Sequence, residues 1–241
     1  MEKPVSTLGK KLSPYLRIAA VIIVLMLLLF AALRFQTWKG EDNRQVLVLV
    51  NPWNPVSEAG YNTRLVQTEG AFMLDQICVK ALERMLADCR SAGCHPSLTS
   101  AWRSVDDQLV LYDEEVHQRT DAGMTPEQAD AEVARWIAVP GRSEHELGLA
   151  VDIVDADNPV RDERQAETPT AQWLEQNAWK YGFIQRYPQR AEAVTGYAWH
   201  PWHYRYVGED AAGNIQSLGI TLEEYLAMFY SEEASVVYEE G

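Results

Sequence analysis

Ser143-Glu144-His145-Glu146-Leu147-Gly148-Leu149-Ala150-Val151-Asp152 sets a histidine in a glycine-flanked turn and, seven residues later, an aspartate at the head of an apolar strand. That spacing lets one imidazole nitrogen and one carboxylate oxygen face the same point. A second unusual stretch, His200-Pro201-Trp202-His203-Tyr204-Arg205-Tyr206, brings further imidazoles. Two neutral imidazoles and one carboxylate form a catalytic zinc set with a position left open for water. A single histidine is as readily a satisfied structural residue, so spacing by itself leaves both readings open.

Working outward, Gly148 to Val154 alternates small and apolar residues and predicts a strand ending at Asp155. Further strands are expected at Ser97–Trp102, Phe183–Tyr187 and His203–Val207. Val46–Val50, closed by Asn51-Pro52-Trp53-Asn54-Pro55, reads as a strand or edge segment ending in a turn. From Gly70 to Ala92 a stripe of Met73, Ile77, Ala81, Met85 and Cys89 predicts an amphipathic helix stopped by Gly93. Ser104 opens a helix in a capping-box pattern, Thr125-Pro126 and Thr168-Pro169 open two more, and Thr221 with Glu224 caps a last one through Phe229. Helices and short strands that do not alternate as βαβ units predict an α+β domain, a small antiparallel sheet flanked by helices around the candidate metal site.

The 241 residues carry a formal charge of −14, unevenly spread. Residues 1–40 hold six basic side chains (Lys3, Lys10, Lys11, Arg17, Arg34 and Lys39) and the single acid Glu2, leaving 15 basic and 34 acidic residues for the rest. A body this acidic, with no basic stripe interleaved with aromatics, excludes nucleic acid as a partner. Ile18 to Leu33 is an unbroken apolar run between Arg17 and Arg34, read as an uncleaved membrane anchor with snorkelling arginines rather than as a signal peptide. The expected organisation is a cytoplasmic tail (1–17), a transmembrane anchor (18–35), a juxtamembrane linker (36–45), one domain (46–230) facing outward and an acidic C-terminal tail (231–241). Cys78, Cys89 and Cys94 make no disulfide framework; Cys89 with Cys94 is within geometric reach, but three small buried hydrophobes is the expected reading.

Ser143, His145, Gly148, Ala150 and Asp152 form an SxHxxGxAxD pattern that resembles the first zinc motif of the VanY-type D-alanyl-D-alanine carboxypeptidases of the LAS group of zinc peptidases. Pro201 to Gly208, PWHYRYVG, resembles the second. Ser100-Ala-Trp-Arg103-Ser104 with Gln108 is similar to the family's substrate-binding stretch. Trp173-Leu174, Tyr181-Gly182-Phe183 and Arg186-Tyr187-Pro188 are similar to its core, and Leu49-Val-Asn51-Pro52 to its domain opening. The resemblance spans about Val46 to Phe229. It implies Zn2+ held by His145, Asp152 and His203, Arg103 on the scissile carbonyl, and Ser143 with Ser104 and Gln108 on the terminal carboxylate of a peptidoglycan stem peptide. Without it, Arg103 reads as a surface ion pair and Ser143 as a turn or cap. Trp202, Tyr204 and Tyr206 are read as core and pocket wall, and His95 and His117 as structural or surface.

One position departs from the family. Where the resemblance places a catalytic glutamate, three residues before the last zinc histidine, this chain has His200. With zinc, Asp152 and a glutamate the site sums to zero charge; with a neutral His200 it is +1. His200 is therefore expected either to carry the proton itself or to become a fourth ligand that closes the site. The second case describes a catalytically impaired pseudoenzyme that binds wall peptides. A third outcome is that another acid, Glu144 or Glu146, reaches in to take the glutamate's place; both flank His145, but solvated surface positions are the expected reading.

Overall fold

The computed structural model describes residues 45–236 and two isolated positions, Ile23 and Met26, with side chains described as far as residue 230. The chain divides into two compact units, residues 1–42 and 43–241. The expected tail, membrane anchor and linker lie almost wholly outside the described residues. Among the described residues no helix is long and apolar enough to cross a membrane.

In chain order the second unit contains β1 (Leu65–Gln67), β2 (Met73–Asp75), α1 (Gln76–Ser91), β3 (Pro96–Ser100), α2 (Val105–Asp121) and α3 (Pro126–Trp136). It continues with β4 (Ala150–Asp155), α4 (Pro169–Asn177), β5 (Phe183–Gln185), α5 (Glu192–Thr195), β6 (His203–Tyr206), α6 (Glu209–Leu218) and α7 (Leu222–Val236). Strands β1 and β2 form a hairpin; the main sheet has the order β3-β4-β6-β5, antiparallel throughout. This is the α+β architecture that the pattern of elements predicted.

Residues alternate faces along a strand, and the register of β4 on β6 sets Asp152 opposite His203 and Ala150 opposite Arg205. Val151, Ile153 and Tyr204 point to the other face. There they pack with Leu82, Met85 and Leu86 of α1 in the main core, which also takes in Leu98, Leu174 and Phe183. One face of the sheet is therefore apolar and packed, and the other carries the polar chemistry.

Local signals explain most of the elements. Asp75 caps α1 by accepting the Ile77 N–H, Thr125 and Gln128 close a reciprocal capping box on α3, and Thr168 caps α4 ahead of Pro169. Thr221 and Glu224 bond each other's backbone N–H as expected. The helix opened at Thr168 tightens towards its end: α4 ends at Asn177, a 3-10 turn covers Ala178–Tyr181, and Gly182 exits in the left-handed region.

Four expectations are corrected. Gly70–Asp75 is not helical: it is the turn and second strand of the β1–β2 hairpin, so Met73 leaves the helical stripe and α1 starts at Gln76. In Val46–Val50 the residues Val46, Leu47 and Val50 are buried, but the segment pairs with no strand among the described residues; the Arg205 guanidinium takes the Val46 and Val48 carbonyls at 2.8 and 2.9 Å, doing for this segment what a ladder would. The final helix runs to Val236, into the stretch read as a tail. Helices α5 and α6 were not anticipated. The three cysteines are free and buried, as small hydrophobes are.

Asp155, at the end of β4, is anchored across the fold. Its carboxylate accepts the Thr170 hydroxyl at 2.6 Å and the Asp157 and Thr170 backbone N–H groups. Burial opposes the charge, but these donors outweigh it and hold the carboxyl below its ordinary range. A depressed folded-state value means the stabilisation is present above the unfolded pKa, about 3.9, and is lost as pH falls through the lower native value. Thr170→Val is expected to cost about 1.5–3 kcal/mol at pH 7, and less at an acid pH below the native value of the Asp155 carboxyl. Urea unfolding at the two pH values checks this, and an equal loss at both would show that the carboxylate charge is not involved.

Candidate active site

The turn before β4 is a short 3-10 helix, Glu144–Leu147, ended by Gly148 at φ +69°. A side chain at Gly148 would place a Cβ 3.1 Å from the Asp75 backbone nitrogen, so this glycine answers both to the left-handed backbone and to close packing on β2. The turn presents His145 to the polar face of the sheet. His145 Nδ1 donates to the Ala101 carbonyl at 2.6 Å, which leaves Nε2 free, 3.4 Å from Asp152 Oδ1. His203 reaches the same oxygen through Nδ1 at 3.0 Å, while its Nε2 faces Glu144 Oε2 at 3.4 Å. Ligand atoms of His145, Asp152 and His203 lie within 4.8 Å of one another, and all three residues are buried. Each imidazole is thus oriented through one nitrogen and offers the other, which is the arrangement a metal requires.

The electrostatics match a site that holds a cation. Burial opposes the Asp152 charge, but the two imidazoles hold its carboxyl well below the usual range. Burial lowers His145, whereas His203, equally buried, is raised by its bonds to Asp152 and Glu144.

Glu144, read from sequence as solvated, has a fully buried side chain. Its Oε1 accepts Arg186 Nε at 2.8 Å and Arg205 Nη1 at 2.6 Å; Arg186 also grips Glu223 through two bonds. Burial is again outweighed by the two guanidiniums, and Glu144 stays ionised. It serves the site by orienting His203. Glu146 is also buried rather than solvated, with Oε1 accepting the Gly141 N–H at 2.9 Å. Nothing in single-residue chemistry marked these acids as buried; the signal available was the pair of arginines, Arg186 and Arg205, in otherwise apolar strand segments.

The ligand trio opens into a cavity of about 340 Å³, in the size range of small-ligand sites. Arg103 lines it, held by bonds from Nη1 to Gln108 Oε1 at 2.6 Å and from Nη2 to Ser100 Oγ at 2.7 Å. Ser143 lines it with a hydroxyl that makes no bond among the described residues. Gln108 lines it, but both ends of its amide are engaged, the nitrogen donating to the Ala138 carbonyl at 2.6 Å. Ser104 does not line it: its hydroxyl caps α2, accepting the Asp107 N–H and donating to the Asp107 carboxylate at 2.6 Å.

His200 lines the cavity without joining the ligand cluster, so the geometry does not make it a fourth ligand. Its ring lies between two indoles, Trp202 at 4.8 Å and Trp136 at 5.7 Å, nearly parallel to both, and meets Tyr187 edge-on. Its Nε2 is buried without a hydrogen-bond partner. Burial, reinforced by His203, pushes the imidazole down to about 3, so it is neutral. His95 and His117 are elsewhere: His95 pairs with Asp157 at the surface and His117 bonds its own helix.

A family model described as VanY, D-alanyl-D-alanine carboxypeptidase, matches residues 71–209. The chain belongs to the VanY family. A D-alanyl-D-alanine carboxypeptidase of Enterococcus faecalis is 39% identical over 188 residues, covering 78% of this chain and 68% of that protein. The chain spans about half the length of three further carboxypeptidase relatives. The structure of VanYB in complex with D-alanine-D-alanine is 38% identical, with a TM-score of 0.70 over 76% of this chain and 98% of that one. A Zn(II) complex of a VanY D,D-pentapeptidase variant from a VanB-type resistance cassette is 38% identical, with a TM-score of 0.68 over 76% of this chain and 99% of that one. The VanY relatives are hydrolases, and this chain has their enzyme scaffold.

Proposed function

We propose that this VanY-family chain is a zinc-dependent D-alanyl-D-alanine carboxypeptidase that trims the terminal D-alanine from peptidoglycan stem peptides. The observation that carries the reading is the convergence of His145, Asp152 and His203 at the floor of a cavity that also holds Arg103 and the free Ser143 hydroxyl. Nitrogen and carboxylate donors with oriented imidazoles suit zinc, and the VanY relative with Zn(II) has the same fold. Bound zinc supplies a Lewis acid that acidifies water and polarises a carbonyl. Arg103, held rigid by Ser100 and Gln108, stabilises negative charge developing on the scissile carbonyl oxygen. Ser143 donates to the substrate beyond that bond. His200, at the position of the family's glutamate, accepts a proton as a neutral imidazole and passes it to the leaving amine. The comparisons lend no support to a noncatalytic binder.

We also propose that the apolar run Ile18–Leu33 anchors the chain with this domain on the outer face of the membrane, where its substrate lies. The run's length and the flanking Arg17 and Arg34 support this, and protease protection of the N-terminal tail in sealed vesicles tests it.

The test of activity uses the full-length chain loaded with zinc and a pentapeptide ending in D-Ala-D-Ala, with released D-alanine measured. Release that stops with a chelator is expected. His200→Glu is expected to raise kcat by about tenfold or more, because a carboxylate restores a charge-neutral site and a stronger proton acceptor. Silence from both proteins would overturn the substrate assignment, and faster release by the unmodified chain would show that His200 is the better base here.

A further inference from the structure

A carboxypeptidase must hold the free carboxylate of the residue it removes. Two of the three residues assigned to that task from the sequence are otherwise engaged: Ser104 caps α2 outside the cavity, and the Gln108 amide is divided between Arg103 and Ala138. Ser143 remains, a neutral hydroxyl with one proton to donate.

Three guanidiniums line the cavity. Arg103 is held by Ser100 and Gln108, and Arg119 is paired with Glu115 at 2.6 Å. Arg161, on the loop between β4 and α4, makes one bond among the described residues, from Nη1 to Asp152 Oδ2 at 3.2 Å, and its side chain is 43% exposed. Four of its five N–H donors are therefore unengaged. It binds the second oxygen of Asp152, since His145 and His203 both address Oδ1. Its charge reaches both Arg103 and His200, on each of which it disfavours positive charge. Two guanidiniums lining one cavity, one of them partly exposed and with donors to spare, leave a place for an anion.

We infer that Arg161 is the anchor for the terminal carboxylate of the substrate and so selects free C-termini. This rests on the D-Ala-D-Ala reading above. The residue combines planar paired donors, which match a carboxylate, with a position on the cavity wall next to the metal-ligating Asp152. It carried no signal in the sequence, lying in an ordinary polar loop.

The test measures binding of a phosphinate analogue of D-Ala-D-Ala, as the free acid and as its C-terminal amide, to the zinc-loaded full-length chain by calorimetry. The unmodified chain is expected to prefer the acid by about tenfold or more, the range of a charge-assisted hydrogen bond. Arg161→Gln should bind the acid about tenfold more weakly and show no preference, and Arg161→Lys should recover part of it. In turnover the loss should fall on KM, with kcat little changed, and zinc affinity by chelator competition should be unaltered. Retention of the acid preference by Arg161→Gln would overturn the assignment. So would a loss of zinc affinity matched by a loss in kcat, which would make Arg161 only a support for Asp152. If the unmodified chain binds neither probe, the D-Ala-D-Ala reading itself fails and takes this assignment with it.

Discussion

Replacing His203 by alanine is expected to abolish zinc retention and to lower kcat/KM for D-Ala release by about a thousandfold or more. Losing a partner that merely orients a metal ligand already costs about 10–100-fold, and this substitution removes a ligand itself. The two remaining donors, His145 and Asp152, cannot satisfy a tetrahedral ion, which needs three protein groups to keep one position open for chemistry. His203 is also the residue through which Glu144 acts on the site, so the same change disconnects that acid from the metal position. Zinc content after dialysis, read beside D-alanine release and the urea midpoint, checks the expectation. A variant that keeps one zinc per chain and the rate of the unmodified protein would remove His203 from the site.

Arg205→Leu should be the most destabilising of the changes considered. The side chain is fully buried and does three things: Nη1 binds Glu144 at 2.6 Å, Nη2 holds the Val46 and Val48 carbonyls, and Nε donates to the Tyr206 carbonyl at 3.1 Å. Leucine would leave Glu144 with Arg186 as its remaining arginine and strand the buried Val46 carbonyl along with the half-buried carbonyls of Val48 and Tyr206. Breaking a buried ion pair by removing one partner costs about 3–5 kcal/mol. The urea midpoint should therefore fall by about 1–3 M. A shift below a few tenths of that would mean that the Glu144 charge is compensated by Arg186 alone. The double variant Arg205→Leu, Glu144→Met should recover part of the loss, because it no longer buries an uncompensated charge.

These two predictions concern alternate positions of β6, two residues apart on one face, and they fail in different ways. His203 faces the metal position, and its loss should leave a folded but inactive protein. Arg205, two residues on and on the same face, belongs to the buried charge network of Glu144, Arg186 and Glu223, and its loss should be felt first in stability.

The sequence by itself determined the candidate ligands and most of the local elements. His145 and Asp152 sit on either side of Gly148, whose left-handed turn is a local property, and His203 stands in a strand whose alternation is local as well. The helix starts at Ser104, Thr125, Thr168 and Thr221 were legible because a cap acts within four residues, whereas the start at Asp75 was hidden by the apolar stripe running on from Gly70. Tertiary structure decided what depends on distant partners. Glu144 reads as a surface acid until Arg186 and Arg205, 42 and 61 residues away, are folded around it. Val46–Val50 has the composition of a strand but is held by a guanidinium 157 to 159 residues later. Ser104 and Gln108 match a substrate-binding pattern, yet one turns to its own helix and the other to Arg103 and Ala138. Arg161 gains a role only when its loop folds back onto Asp152. The physical reason is the same in each case: backbone conformation and capping are set over a few residues, whereas the environment of a charge is set by whichever groups the fold brings within a few ångströms, at any separation along the chain.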